Sequence, residues 1–491
     1  MGISWALYGV LLYLSLFLIL FPSLVIAQPP SYLIANPSSS WMSHSGPDYL
    51  QFEDKSAVRI ILFSGSSNSN PGFACGFFCN QTCDDYLFAI FIVSYDMDGL
   101  IGHGRVAPQV VWSANQKNPV YPKATLELTS ERGLVLIDAD GTTAWSTNTN
   151  NKSVAGLNLT DMGNLMLLDE NNATIWQSFD HPTDSLLIGQ KLLVGQKLSS
   201  SPSATYKVQG AIFSVSPTSY GLAAFMESNA SQQYYSHYSN NITYIQFLNG
   251  SLAFFTDLGE SETPFEIPIA YTFQYMRIGP DGHLRVYEWS QRGFQWKEVA
   301  DLLTTDLGYC GYPTVCGNYG ICTNDQCSCP KTKNRTDYFK QVNDMLPDHG
   351  CSLITPLSCE ASQNWSILEL ENVTYFRSVG GRDSQEMDFE TCKHACLKNC
   401  SCKAAIFGKI WRSYTLDSSG NIISGNFSEF CSLQSEIFSL IADTTKTITT
   451  SRSTVYIKIK PLSSGGRRTI SRLVSSQYGV VFMSELVAPP V

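Results

Sequence analysis

Residues 126–138 read LELTSERGLVLID and residues 157–169 read LNLTDMGNLMLLD, so one stretch occurs twice at a shift of 31 residues. A tryptophan follows each copy, at Trp145 and Trp176, and a third stands in a similar setting at Trp112. A repeat of this length is a supersecondary unit that cannot bury its apolar face alone and must stack on its neighbours. The repeat therefore predicts a symmetric all-β module.

The residues around the repeat favour short strands. Runs at 57–63, 86–93 and 109–112 are rich in β-branched and aromatic residues, and turn residues bound each run. Gly141 and Asn172 follow the repeated strands, where a hairpin turn needs a positive φ. The whole stretch from residue 49 to residue 176 therefore predicts strands at even spacing.

A second region repeats this style of sequence. Residues 247–255 and 276–289 each contain an apolar strand, a glycine turn and another strand. This pattern predicts a second, more diverged β module at about residues 203–303.

Composition and leader indicate a secreted protein. The chain has 491 residues, enough for three or four domains, with 44% hydrophobic and 15% charged residues. Its net charge of −10 argues against a nucleic-acid partner, because phosphate binding needs a basic surface. The uncharged run at 5–20, followed by small residues up to Ala27, predicts a cleaved signal peptide at 1–27, with an uncleaved anchor as the alternative. No later run is long and apolar enough to predict a transmembrane helix, and residues 461–491 read as a disordered tail.

Asn-X-Ser/Thr sequons exceed the number that random placement would give, which favours a glycosylated surface. The predicted acceptors are Asn80, Asn151, Asn158, Asn172, Asn229, Asn241, Asn249, Asn334, Asn364, Asn372, Asn399 and Asn426.

Fifteen cysteines predict disulfides in an oxidising compartment, and they fall into three groups. The first group of six is Cys310, Cys316, Cys322, Cys327, Cys329 and Cys351. The second six are Cys359, Cys392, Cys396, Cys400, Cys402 and Cys431, and we expect them to pair among themselves. The spacing of Cys392 and Cys396 puts two thiols on one face of a helix. Spacing alone allows 15 pairings for six cysteines.

A trio of cysteines, Cys75, Cys79 and Cys83, lies apart from these groups. Because three is odd, we expect one thiol that is free or that pairs with another chain, which makes a homodimer a candidate assembly.

Several segments resemble the extracellular part of plant S-domain (G-type lectin) receptor-like proteins. Residues 112–115 (WSAN), 163–165 (GNL) and above all 176–187 (WQSFDHPTDSLL) are similar to the bulb-type lectin signature. The cysteines from 310 to 351 resemble the family's EGF-like module, and residues 396–402 (CLKNCSC) its PAN/apple module. Since nothing kinase-like follows, the chain is most similar to kinase-less members with a PAN domain.

The resemblance implies a mainly β fold of tandem bulb-lectin β-prism modules, then a disulfide-rich EGF-like module and an α+β PAN/apple domain. Each prism would have three four-stranded sheets about a pseudo-threefold axis, with tryptophans packed at its centre. The implied domains are a signal peptide (1–27), a bulb-type lectin domain (45–200), a second, S-locus-glycoprotein-like β module (203–303), an EGF-like module (306–352), a PAN/apple domain (353–460) and the tail (461–491). For the EGF-like module it also implies the pairs Cys310–Cys322, Cys316–Cys327 and Cys329–Cys351.

Mannose binding in this family uses a Gln-x-Asp-x-Asn-x-Val-x-Tyr strand, and neither repeat keeps it intact. Its positions fall on Thr129, Glu131, Gly133, Val135 and Ile137 in the first repeat, and on Thr160, Met162, Asn164, Met166 and Leu168 in the second. In the second module they fall on Gly279, Asp281, His283, Arg285 and Tyr287. Asp281 and Tyr287 are therefore candidate sugar-binding residues, although residues 280–282 are also a plain hairpin turn.

Other functional assignments are weaker. Asp180, His181 and Asp184 invite comparison with a metal or acid–base site, but their Pro-containing stretch favours a structural turn. The three tryptophans favour core packing over sugar stacking because they recur at strand positions. The chain has no serine-hydrolase elbow, zinc-protease, P-loop or kinase motif, so we expect neither an enzyme nor a metal or other cofactor.

The sequence predicts an extracellular recognition glycoprotein without kinase activity, secreted or at the extracellular side of the plasma membrane. Its ligand would be a protein, peptide or glycan, with a receptor kinase as a candidate partner. The alternative is a structural cell-wall glycoprotein on a lectin fold that no longer binds sugar, with a thiol of the cysteine trio linking chains.

Overall fold

A computed structural model describes residues 33–44, 49–66, 69–94, 106–201, 212–228, 231–260, 265–332, 337–359, 364–376, 384–416, 422–442 and 451–461. The predicted signal peptide, the sequons at Asn229 and Asn334, and all of the predicted tail after Pro461 lie outside these ranges. None of the helices in these ranges is long and apolar enough to span a membrane.

The first β-prism contains three sheets. Its strands are β1 Ile34–Ala35, β2 Ser39–Met42, β3 Tyr49–Gln51, β4 Ala57–Ser66, β5 Ser69–Cys79, β6 Leu87–Val93, β7 Gln109–Ser113, β8 Thr125–Thr129, β9 Gly133–Ile137, β10 Thr143–Ser146, β11 Gly156–Leu159, β12 Leu165–Leu168 and β13 Thr174–Gln177. The sheets have the orders β3-β4-β5-β6-β7, β2-β8-β9-β10 and β1-β11-β12-β13. Each repeated stretch thus forms the two central strands of one sheet, in register Leu126↔Leu136 and Leu157↔Leu167.

The second β-prism also contains three sheets. Its strands are β14 Ser185–Leu187, β15 Lys191–Leu193, β16 Leu198–Ser199, β17 Ile212–Thr218, β18 Gly221–Glu227, β19 Gln232–Tyr238, β20 Ile242–Leu248, β21 Ser251–Thr256, β22 Gly259–Glu260, β23 Phe265–Glu266, β24 Gln274–Ile278, β25 Leu284–Ser290 and β26 Gln295–Asp301. The sheets have the orders β16-β17-β18-β19, β15-β20-β21-β22 and β14-β24-β25-β26, and β23 also pairs with β21.

Both prisms follow one connection rule. In each prism, three short strands come first in the chain, and each becomes the edge strand of a different sheet, in reverse order. In the first prism, β1, β2 and β3 join the third, second and first sheets. In the second prism, β14, β15 and β16 do the same. The second module is therefore a topological copy of the first. Residues 185–199, which the sequence analysis assigned to the lectin domain, supply its edge strands.

Each prism departs in one sheet from the family pattern of four-stranded sheets. One sheet in each prism has five strands. The five-stranded sheet of the first prism includes β5, which the sequence analysis did not predict because residues 69–79 mix glycines and cysteines with phenylalanines. There Gly76 is required, since a Cβ would lie 1.9 Å from the carbonyl oxygen of Arg59 on β4.

The EGF-like and PAN segments share a sheet. Their elements are the helix α1 Thr304–Leu307, β27 Ile321–Thr323, β28 Gln326–Ser328, β29 Phe339–Gln341, β30 Cys351–Leu353, β31 Ser366–Leu370, β32 Val373–Tyr375, β33 Gln385–Glu386, the helix α2 Phe389–Lys398, β34 Ala404–Leu416, β35 Ile422–Gln434, β36 Leu440–Ala442 and β37 Ser451–Ile459. Short 3-10 helices occupy Ser178–Asp180, Tyr309–Gly311 and Pro347–His349. The orders β28-β27-β36-β32 and β31-β37-β34-β35-β33 show that the EGF-like hairpin continues into PAN strands.

The predicted helix is α2, and Asp388 caps its start by accepting a hydrogen bond from the Thr391 N–H at 3.0 Å. Cys392 and Cys396 are both fully buried on its inner face. Disulfides tie this face to β35 and to the loop that follows the helix.

Candidate ligand-binding sites

The three tryptophans form a triangle within the first prism. Trp112, Trp145 and Trp176 lie on β7, β10 and β13, the last strand of each sheet, with ring centroids 5.8–6.0 Å apart. The indole N–H of Trp112 donates to the carbonyl of His181 at 2.7 Å. The rings are part of the first prism's core, so the prediction of core packing is confirmed.

The mannose-strand positions of the first prism are used by the fold. Asn164, the one residue there that keeps the family's amide, is buried. Its Nδ2 donates to Gln177 Oε1 at 2.8 Å, and its Oδ1 accepts from Ser178 Oγ and the Phe179 N–H, both at 3.2 Å. Val135 is an apolar residue that is only 5% exposed. Neither hairpin therefore offers the free amide and carboxylate that hold sugar hydroxyls.

The second-prism candidates, Asp281 and Tyr287, lie on one face of the β24–β25 hairpin together with Arg285. Asp281 Oδ2 is 2.7 Å from Arg285 Nη1, and Arg285 Nε is 3.1 Å from Glu298 Oε2. Tyr287 stacks on Tyr275 with ring centroids 5.2 Å apart. Burial alone would lower the pKa of Arg285, but Asp281 and its other acidic neighbours raise it, so the guanidinium stays charged. Sugar binding at Asp281 and Tyr287 stays a prediction, and a sugar would have to compete with this ion pair.

The segment 176–187 does not assemble a metal or acid–base cluster. Asp180 accepts from Gln177 Nε2 at 3.0 Å, whereas the ring of His181 stacks on Trp176 at 5.3 Å. No group of three potential metal ligands occurs among the described residues. The segment instead leads the chain from one prism into the other.

Asp184 supports the arginine that connects the two prisms. Its carboxylate lies 3.7 Å from Arg277 Nε on β24, and that Nε donates to Ser185 Oγ at 2.9 Å. Arg277 Nη2 also donates to the carbonyl of Val110 on β7, so one guanidinium links β7, β14 and β24. Burial would lower the pKa of Arg277, but Asp184 outweighs it and the pKa is raised. The lectin-signature carboxylate thus holds in place, within the second prism, the guanidinium that contacts the first prism.

A cavity of about 580 Å³ opens between the prisms beside this link. The first prism contributes Phe73 from β5 and Met162 from the β11–β12 turn, and the second contributes Phe273 and Gln274 near the start of β24. Phe73 and Phe273 meet across the junction with ring centroids 5.3 Å apart. We call this space the inter-prism cavity.

Sequence reasoning missed the inter-prism cavity because its walls come from both modules. One clue was present: Met162 occupies the aspartate position of the second mannose strand, yet it is an exposed apolar residue at a hairpin tip. Its neighbour Gly163 has a φ of +80°, and a Cβ there would lie 2.6 Å from Leu187 and 2.7 Å from Phe73. A hairpin tip that binds sugar in the family pattern is here packed against the second prism.

The structure forms seven disulfides among the described residues. Cys310–Cys322, Cys316–Cys327 and Cys329–Cys351 are the three pairs that the resemblance implies. The PAN cysteines pair among themselves as Cys359–Cys400, Cys392–Cys431 and Cys396–Cys402.

The cysteine trio does not behave as the cross-linking hypothesis requires. Cys79 pairs with Cys83, which leaves Cys75 as the free thiol, and Cys75 is fully buried on β5. Burial also raises the pKa of this thiol well above its ordinary value. The free thiol is therefore shielded from a second chain in the folded protein, and a homodimer stays a prediction.

Nine of the ten described sequon asparagines are exposed, which is what a glycan acceptor needs. Asn158 is the exception: it is half-buried within β11, between β1 and β12. Glycosylation at each of these positions stays a prediction.

Comparison with known proteins agrees with this architecture. Family profiles described as "D-mannose binding lectin", "S-locus glycoprotein domain" and "PAN-like domain" match residues 109–205, 209–335 and 359–411. The fold and these matches define a lectin-like S-domain protein.

Its relatives include both kinases and kinase-less proteins. A G-type lectin S-receptor-like serine/threonine-protein kinase of Arabidopsis thaliana is 32% identical over 76% of this chain and 42% of its own length. EP1-like glycoprotein 2 of the same plant is 27% identical over 60% of this chain and 72% of its own length, and EP1-like glycoprotein 1 is 28% identical over similar shares. The chain spans less than half the length of the receptor kinases it matches. It belongs to the plant S-domain, or G-type lectin, receptor-like family.

Proposed function

We propose that this chain is an extracellular recognition glycoprotein, and not an enzyme, that binds a protein, peptide or glycan ligand through surfaces other than the mannose strands. The observation that carries the proposal is the reuse of those strands. Asn164 and Asp281 keep sugar-binding residue types, but both are engaged by neighbouring side chains. The scaffold of a lectin is thus retained while its sugar contacts serve the fold.

Rigid presentation of a binding surface fits the rest of the chain. A core cluster runs from the second prism into the EGF-like module through Tyr312 and Cys316, and another joins that module to the PAN domain. Tyr375 of the PAN domain donates to Gln232 of the second prism at 2.8 Å. These contacts support a stiff, disulfide-stabilised chain on which loops can be held in place for a partner.

Location outside the cell and a receptor-kinase partner belong to the same proposal. The seven disulfides suit an oxidising compartment, and the exposed sequon asparagines suit a secreted glycoprotein. Relatives named as receptor-like kinases make a surface receptor a reasonable partner class. The structural cell-wall alternative loses its proposed cross-link because Cys75 is buried.

The test uses the full chain secreted from plant cells. It would be applied to a glycan array and, separately, to a panel of plant surface-receptor ectodomains, with and without methyl α-D-mannopyranoside. We expect saturable binding to at least one surface and no competition by the mannoside. Absence of binding to both surfaces would overturn the recognition function.

A further inference from the structure

The inter-prism cavity has the dimensions and lining of a small-molecule site. Its volume of about 580 Å³ lies within the range of roughly 300–1,000 Å³ that is typical of ligand pockets. Phe73, Leu187 and Phe273 give the cavity apolar walls. Two further apolar lining residues, Leu33 and Met162, are 39% and 45% exposed. Such walls favour an apolar ligand body, since burial of apolar surface is the main source of its affinity.

One polar group in the lining has no partner. Gln274 is 4% exposed, and its Nε2 donates to the carbonyl of Pro268 at 3.0 Å and to Glu288 Oε2 at 3.3 Å. These two acceptors fix the orientation of the amide. Its Oε1 is buried and accepts no hydrogen bond. A buried acceptor without a donor is unfavourable, so a ligand that reaches Oε1 with an N–H or O–H would relieve a penalty already present.

The charge of the lining points the same way. Asp161 contributes a carboxylate next to Met162, and none of the described lining residues is basic. An anionic ligand would meet like charge without a cation to balance it, whereas an ammonium group would be attracted.

We propose that the inter-prism cavity binds a small molecule with an aromatic or aliphatic body and a neutral or cationic hydrogen-bond donor, and that it rejects carboxylates of the same shape. Gln274 Oε1 accepts the donor, and the phenylalanines hold the body. Met162 is the one mannose-strand position in the described lining. Failure of this site would therefore leave the proposed recognition of glycans or receptors to be judged by its own test.

The experiment compares three probes with one naphthyl body: 2-(2-naphthyl)ethanol, 2-(2-naphthyl)ethylamine and 2-naphthylacetate. Calorimetric titration of the full glycosylated chain should show saturable binding of the alcohol and the amine, with the carboxylate at least tenfold weaker. Asp161→Asn should reduce the advantage of the amine over the alcohol.

A blocking variant shows whether binding occurs in this cavity. Met162→Trp adds volume at an exposed lining position, and we expect it to weaken alcohol binding at least tenfold without lowering the melting temperature. The matched control, Leu258→Trp, changes a fully exposed residue outside the lining and should bind like the unmodified chain. Equal binding of all three probes, binding that survives Met162→Trp, or no binding of any probe would each overturn the proposal.

Discussion

Replacing Arg277 tests whether Asp184 of the lectin-signature segment is coupled to the arginine that contacts the first prism. Arg277→Met keeps the apolar part of the side chain and removes the guanidinium that contacts Asp184, Ser185 and Val110. The variant leaves the Asp184 carboxylate, whose side chain is 15% exposed, without its cation. We expect β14 and β24 to loosen while the two prism cores stay folded.

The magnitude follows from the geometry. Two unit charges 3.7 Å apart attract with about 4.5 kcal/mol at an effective dielectric constant of roughly 20. Removing both charges from water offsets much of this attraction, so a coupling energy of about 2 kcal/mol is expected for the pair. Breaking only one partner costs more, about 3–5 kcal/mol for a fully buried pair, and somewhat less here because both groups retain some exposure.

Amide hydrogen exchange measures the effect where it occurs. Exchange in β14 and β24 would be compared for Arg277→Met, Asp184→Asn and the double variant. The double variant should lose less protection than the two single variants together, by about 2 kcal/mol. Lys197→Met is the matched control, because its ion pair with Glu227 is exposed and should contribute less than about 1 kcal/mol. Additive single effects, or a control as costly as Arg277→Met, would refute the coupling of Asp184 to Arg277.

Four further predictions concern the chain outside the cavity. Lys458 is buried, and its Nζ donates to the carbonyls of Cys396, Leu397 and Asn399 at the end of α2. Lys458→Met should therefore destabilise that helix by about 1–3 kcal/mol. The loss would be measured as faster amide exchange in Phe389–Lys398. Burial lowers the pKa of Lys458, so between the lowered value and about 10.5 the unfolded chain binds more protons than the folded chain. The stability of the PAN domain should therefore rise with pH in that window in the native chain but not in Lys458→Met. Equal pH profiles of the two proteins would contradict this. Because Cys75 is buried, iodoacetamide should label it only after the chain is denatured. Non-reducing electrophoresis should show no dimer linked through this thiol. Labelling of the native chain would contradict the burial of Cys75. Asn151→Gln should remove one glycan from the secreted protein whereas Asn158→Gln should leave the mass of the glycans unchanged, because Asn158 lies within a sheet; equal mass losses would contradict this.

Much of the fold could be predicted because its determinants are local. The 31-residue repeat encodes a strand, a turn and a strand within a few residues. Leu126 and Leu128, and their copies Leu157 and Leu159, are fully buried on either side of a half-buried residue, as a two-residue period requires. Trp112 and its two equivalents could be assigned to the core from recurrence alone.

The rest depends on contacts between distant segments. Nothing in residues 185–199 shows that they pair with β24, β20 and β17, since their partners lie tens of residues away. Gln274 is a candidate ligand-binding residue because its Nε2 has an acceptor in Pro268 whereas its Oε1 has no donor, and the sequence does not show these contacts. The free thiol among three closely spaced cysteines was likewise decided by burial of Cys75, which spacing does not encode.

The central claim is that this chain keeps the lectin scaffold while its mannose-strand residues serve the fold. Calorimetric titration of the full secreted chain with methyl α-D-mannopyranoside tests it most directly, alongside the Asp281→Asn variant. We predict no saturable binding at millimolar sugar in either protein, because Asp281 is held by Arg285 and Asn164 by Gln177. Saturable binding of the mannoside would contradict the account, and its loss in Asp281→Asn would place the sugar on the second prism.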